Sequence, residues 1–140
     1  MAGHVLLDTG PLVAYLDGRE EHHIWAVEMF SNNAPPLWTC ESVISEACFL
    51  LQGWKQGTDA VMRILEHGAV RIHFSLDEER HPVAALMRRY ATLPMSLADA
   101  CLVRMSELVK DCSVLTLDTD FRVYRRFGRK SIPLLIPSAK

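Results

Sequence analysis

Short apolar runs recur along this chain between segments of helical period, and that alternation limits the folds open to it more than any other feature. Val5–Leu7, Leu37–Thr39, Val70–Phe74, Ser113–Leu117 and Ile132–Leu135 are rich in leucine and β-branched residues and only three to five residues long, which reads as strands. Helices are expected between them: a short one opened by Pro11 and ending near Gly18, one over Glu20–Asn32 closed by Asn33-Ala34-Pro35-Pro36, and others at Cys40–Leu51 and Thr58–His67. Leu76–Tyr90, Leu97–Lys110 and, briefly, Thr119–Phe127 complete the set. Strands and helices alternating through 140 residues, with no repeat and no internal linker, imply one α/β domain over 1–140. Its mostly parallel sheet of about five strands would lie between helices on both faces, three layers in all.

A composition of 49% hydrophobic and 23% charged residues excludes a disordered or low-complexity chain. No apolar run is long enough to span a bilayer. The start, Met1-Ala2-Gly3-His4-Val5-Leu6-Leu7-Asp8, has no basic region and an apolar stretch cut off by Asp8, so no signal peptide and a cytoplasmic location are expected. Cys40, Cys48, Cys101 and Cys112 form no C-x-x-C pair and sit in or beside apolar stretches, as buried reduced thiols do and zinc ligands do not. The net charge of −2 gives no general attraction for nucleic acid. Five of the 15 basic residues nevertheless fall in Phe121–Lys130, which holds no acid, and this is either a local anionic-ligand patch or a solvated helix face.

Ligands of such sheets bind beyond the carboxyl ends of the strands, near the point where strand order reverses. Asp8 directly follows the first strand, and Asp118 follows the apolar part of the fourth. Glu46 lies about 40° from Leu50 on a helical wheel, at the border of the stripe formed by Val43, Ala47, Leu50 and Leu51. Asp99 sits in a first turn beside the arc of Ala98, Leu102, Met105 and Val109. Each acid alone has an ordinary explanation: Asp8 as a turn residue or N-cap, Glu46 as a surface carboxylate, Asp99 in a capping box with Ser96, and Asp118 or Asp120 as caps. Converging as a set, they would repel one another unless a cation neutralised them, and oxygen-only ligands select Mg²⁺ or Mn²⁺ over zinc. That chemistry suits phosphoryl transfer by metal-activated water and requires no catalytic His, Ser or Cys. The six histidines accordingly lack metal-ligand spacing and are read as structural or surface residues.

In these residues the chain resembles the PIN domain nucleases, and within them the small VapC-like toxin ribonucleases of type II toxin–antitoxin pairs. The resemblance is carried by Val5-Leu6-Leu7-Asp8-Thr9-Gly10-Pro11-Leu12, Ser45-Glu46-Ala47, Leu97-Ala98-Asp99-Ala100 and Leu115-Thr116-Leu117-Asp118-Thr119-Asp120-Phe121, whose order and spacing cover nearly the whole chain. It implies catalytic, metal-binding acids at Asp8, Glu46, Asp99 and Asp118, with Asp120 as an auxiliary ligand or water-positioning group. Thr9 and Thr116 match the hydroxyl positions that support the acids. The implied activity is endoribonucleolytic cleavage of single-stranded or loop RNA with Mg²⁺ or Mn²⁺ as cofactor. The implied partners are a second copy in a homodimer and a small antitoxin that covers the acidic pocket. Arg122, Arg125 and Arg126 would then lie beside the pocket and hold RNA phosphates.

Other readings fit less well. A receiver-type signalling domain wants paired acids after its first strand, an Asp ending the third and a Lys before a late Pro; here Asp8 stands alone, Phe74-Ser75 ends the third strand and Ile136 precedes Pro137. A haloacid dehalogenase-type phosphatase would need Asp118-Thr119-Asp120 to open the fold, yet only 20 residues follow Asp120. Asp8-Thr9-Gly10 as an aspartic protease motif conflicts with the helical periods. A catalytically silent PIN-like module that binds RNA or protein keeps the fold but leaves four acids without a purpose. Trp25, Trp38 and Trp54 stand in apolar contexts that suit the core or a dimer surface.

Overall fold

Strand β1 (His4–Leu7) is paired on both sides, by β2 (Leu37–Thr39) and β4 (Cys112–Leu115), and Val5, Leu6 and Leu7 are all buried. A strand without a polar face must be covered on both sides, the pattern of a central parallel strand. With β3 (Val70–Ile72) and β7 (Leu134–Leu135) the sheet order becomes β3-β2-β1-β4-β7, all parallel. The chain moves outward from β1 through β2 to β3, then crosses to β4 on the other flank, so strand order reverses between β1 and β4. The computed structural model describes residues 3–138; Met1 and Ala2, part of the stretch on which the leader reading rests, lie outside them.

Six helices complete the expected α/β architecture: α1 (Thr9–Leu16), α2 (His23–Asn32), α3 (Glu41–Leu51), α4 (Gly57–Glu66), α5 (Arg80–Arg89) and α6 (Leu97–Leu108). Helix α1 packs on α2, α3 and α4, while α5 packs on α6, which lies against β1 and β4. Leu6, Leu7, Leu12, Leu37, Val43, Leu102 and Leu115 form the centre of the core. Among the described residues no helix is long and apolar enough to cross a membrane. All four cysteines are free thiols, three of them buried.

Several boundaries differ from the sequence reading. Helix α1 begins at Thr9 rather than Pro11, because Asp8 caps it and places Pro11 within the first turn, where the missing N–H costs nothing. Strand β3 stops at Ile72, and the helix expected from Leu76 begins at Arg80 after a turn in which Ser75 Oγ accepts from the Glu78 N–H at 3.2 Å. The stripe assigned to α3 is displaced: Val43, Ile44, Ala47 and Leu51 are buried, but Leu50 is 60% exposed.

The largest difference lies at the expected helix Thr119–Phe127. The helical part is a single 3₁₀ turn, Thr119–Arg122, and the chain then forms a two-residue hairpin, β5 (Arg125–Arg126) against β6 (Lys130–Ser131). Burial of Phe121 and Tyr124 ends the turn, and Phe127 and Gly128, at φ 56° and 77°, reverse the chain. The last strand is correspondingly shorter than Ile132–Leu135 and begins after Pro133.

Candidate metal centre

At the switch point between β1 and β4, a cleft of about 410 Å³ is lined by Asp8, Glu46, Asp99 and Asp118, with Thr9, Gly10, Leu50, Pro94, Ser96 and Leu117. The four acids come from four elements: the residue after β1, the middle of α3, the first turn of α6 and the segment after β4. None of the six histidines lines it. Asp120 is not among the lining residues either; its backbone N–H donates to Asp118 Oδ1 at 2.8 Å.

Each carboxylate has at least one oxygen fixed by the protein. Asp8 Oδ1 accepts from the Thr9 N–H at 2.7 Å and Oδ2 from the Thr116 hydroxyl at 2.6 Å. Glu46 Oε1 accepts from the Thr9 hydroxyl at 2.7 Å. Asp99 Oδ2 accepts from the Tyr124 hydroxyl at 2.9 Å and closes the capping box with Ser96, whose Oγ accepts from the Asp99 N–H at 3.0 Å. Glu46 Oε2, Asp99 Oδ1 and Asp118 Oδ2 have no hydrogen-bond partner among the described residues. Capping and site-building are therefore the same act for Asp8 and Asp99: the bond that starts a helix also orients a carboxylate.

The electrostatics of the cleft are unfavourable as it stands. Burial pushes the Asp8 carboxyl up to about 7, with Asp99 and Asp118 adding to the rise, while the bonds from Thr116 and Thr9 oppose it. Burial also raises Asp99, helped by the charge of Asp118 and opposed by the Tyr124 hydroxyl. Among the described residues, no ion pair involves any of the four acids. A set of oxygen donors with uncompensated charge and three untied oxygens fits a hard divalent cation. The arrangement is open: among the described residues, no three His, Cys, Asp or Glu side chains are gathered closely enough to hold an ion as they are placed.

The PIN domain family model matches residues 5–126. The chain belongs to the PIN domain family. Among curated proteins it is similar to ribonuclease VapC26 of Mycobacterium tuberculosis, 28% identical over 117 residues that span 81% of this chain and 86% of that one. Among solved structures it is similar to the M. tuberculosis VapC20 toxin, described as cleaving the sarcin–ricin loop, with a TM-score of 0.76, 19% identity and coverage of 90% of this chain and 98% of the other. The likeness to VapC20 concerns the fold.

The hairpin corrects the expected PIN-domain basic contacts. Arg126 is buried, and its Nη2 donates to the carbonyls of Ser106, Val109 and Lys110 at the end of α6, so it fastens the hairpin rather than facing solvent. Arg122 is exposed and Arg125 half-buried. Tyr124 was not singled out by the sequence, although it is fully buried and touches Asp99. The one available signal was an aromatic two residues after the exposed Arg122, in a segment otherwise read as a solvated helix.

Proposed function

We propose that this PIN domain is a metal-dependent endoribonuclease and the toxin of a toxin–antitoxin pair. The observation that carries the reading is the convergence of Asp8, Glu46, Asp99 and Asp118 on one cleft that no Lys, Arg or His side chain lines. Membership of the PIN family and the likeness to a protein named as a ribonuclease support it. Mg²⁺ or Mn²⁺ would be held by those four carboxylates, with Asp120 as an auxiliary ligand or water-positioning group. Once held, the cation supplies a Lewis acid that lowers the pKa of a water and offsets charge on phosphate oxygens.

The chain's own residues set up that chemistry. Thr116 and Thr9 fix Asp8 and Glu46 relative to each other across three elements, and Tyr124 with Ser96 fixes Asp99. No histidine, serine or cysteine side chain in the cleft is needed as a nucleophile. The acids would repel RNA phosphate by themselves, so Arg122 and Arg125 are the contacts proposed for the RNA strand on this side. The substrate is proposed as single-stranded or loop RNA. At 19% identity, the sarcin–ricin target of VapC20 is not carried to this chain. A cytoplasmic location, a homodimer and a small antitoxin covering the cleft complete the proposal.

Cleavage of a mixed single-stranded RNA in Mn²⁺, Mg²⁺ or EDTA tests it, with Asp8→Asn and Asp99→Asn beside wild type. Metal-dependent cleavage by wild type alone is expected. Wild type that is verified free of any copurifying protein and inert in every metal on several RNAs overturns the reading in favour of a silent binding module.

A further inference from the structure

The tip of the β5–β6 hairpin carries an aromatic residue where the backbone disfavours one. Phe127 has φ 56° and Gly128 φ 77°, so both central positions of the turn are left-handed, a geometry for which Asn or Gly is the ordinary first residue. A side chain kept in that conformation is held there by its surroundings, and such strain concentrates at functional sites. Two contacts hold it: the Phe127 N–H donates to Glu107 Oε2 at 2.7 Å, and the guanidinium carbon of the buried Arg126 lies 5.1 Å from the ring centroid. Phe127 is nevertheless 49% exposed.

Two segments distant in sequence, both rich in cations, meet at this tip. Arg89 Nη2 donates to the Gly128 carbonyl at 2.7 Å, and the Arg125 N–H donates to the Tyr90 hydroxyl at 2.9 Å, so the end of α5 and the hairpin form one surface. Arg88 and Arg89 at the end of α5 and Arg125, Arg129 and Lys130 in the hairpin bring five positive charges to these two segments, Arg122 adds a sixth from the preceding 3₁₀ turn, and none of them is ion-paired among the described residues. Glu107 faces the tip from α6, but it is occupied by Arg104 at 3.1 Å and by the Phe127 amide. Five residues past Arg89, Pro94 already lines the acidic cleft. Asp99 and Glu107 are eight residues apart on α6, or about 12 Å of helix. That separation is short enough for one strand to engage both the cleft and the tip.

We propose that Phe127 is a base-stacking platform at the far end of a basic track, and that its ligand is single-stranded RNA. The cations hold the phosphates and the ring stacks on an unpaired base, the combination by which single strands are bound without sequence readout. This deepens the nuclease reading and rests on it for the identity of the RNA as substrate.

The test is fluorescence anisotropy of a labelled mixed-sequence single-stranded RNA in EDTA, beside an abasic RNA of equal length and a polyglutamate peptide. Phe127→Asn suits the turn and keeps Tm within a few degrees of wild type, yet binds the RNA about 5- to 100-fold more weakly. Its affinity for abasic RNA is unchanged, and Phe127→Trp restores binding. Replacing Arg129 and Lys130 by Ala lowers the slope of log K against log salt by about 1.4. RNA affinity of Phe127→Asn equal to that of wild type, in a protein that still cleaves RNA, overturns the stacking proposal and leaves the nuclease standing. Equal losses on abasic RNA show that Phe127 does not act through a base and overturn it as well, and tighter binding of polyglutamate than of RNA overturns it in favour of an acidic protein partner. If wild type binds RNA but does not cleave it, only the nuclease reading falls.

Discussion

The Thr116 hydroxyl donates to Asp8 Oδ2 at 2.6 Å across 108 residues of sequence, and Thr116 Oγ1 in turn accepts from the Asp118 N–H at 2.9 Å. One side chain thus couples the carboxylate after β1 to the segment that carries the carboxylate after β4. Thr116→Val keeps the shape and removes both bonds. Because the hydroxyl opposes the rise of the Asp8 pKa, its loss moves that pKa higher. The expected result is activity reduced by about 10- to 100-fold, with the acid limb of the pH–rate profile displaced to higher pH. An unchanged profile in a folded variant would show that Thr116 serves only the fold.

Asp8 also sets how stability depends on pH when no cation is bound. Its folded-state pKa of about 7 lies above the ordinary 3.8, so between these values the folded protein keeps a proton that the unfolded chain has lost. Stability without metal therefore falls as pH rises from about 4 to 7. Asp8→Asn removes the effect and is expected to raise Tm in EDTA at pH 8, by at most about 4 kcal/mol in stability at 1.36 kcal/mol per pKa unit. Mn²⁺ is expected to raise the Tm of wild type but not that of this variant. Thermal melts with and without Mn²⁺ at pH 5 and pH 8 check both signs.

Tyr124→Phe separates orientation from packing. The ring stays, stacked edge-on against Tyr90 and Phe121 at 5.1 and 5.2 Å, and only the donor to Asp99 is lost. If Asp99 ligates the metal as proposed, Mn²⁺ affinity measured by calorimetry is expected to fall about 10-fold, the low end of the effect of removing a group that orients a metal ligand. In an Asp99→Asn background the same change should have no further effect on affinity, because Tyr124 acts through that carboxylate. Equal Mn²⁺ affinity of Tyr124→Phe and wild type would leave Tyr124 a core residue only.

What the sequence disclosed follows from what is local in it. Val5–Leu7 and Ser113–Leu117 announce strands by their own composition, although the second is Cys112–Leu115 in the fold, and the acid that follows each run is legible as a strand-end group. Ser96 and Asp99 likewise form a capping box within four residues. The hairpin was illegible because Arg125-Arg126 and Lys130-Ser131 show no alternation, and an arginine-rich stretch has the period of a solvated helix as readily as that of a ribbon. Its reversal depends on Phe127, a residue that turn preferences argue against. Leu50 misled for another reason: it is apolar at a helical core spacing, yet it lines the cleft. The bonds from Thr9 to Glu46 and from Tyr124 to Asp99 span 37 and 25 residues, so only the folded chain shows them.

Arg125 and Arg126 are adjacent in sequence and opposite in role. Arg126 gives Nη2 to three carbonyls at the end of α6, groups that a helix leaves without internal partners. Arg126→Met leaves the buried Ser106 carbonyl with only the weak Cys112 thiol donor and is expected to cost about 1–3 kcal/mol of stability. It also frees the hairpin that holds Phe127. Arg125 is half-buried, with Nη1 on the Arg122 and Tyr124 carbonyls. Arg125→Ala is expected to leave Tm nearly unchanged while lowering the salt slope of RNA binding by about 0.7, the value for one phosphate contact on a single strand. Chemical denaturation and salt-dependent RNA titration of the two variants decide the assignment. A salt-slope change confined to Arg126→Met, or a stability loss confined to Arg125→Ala, would reverse it.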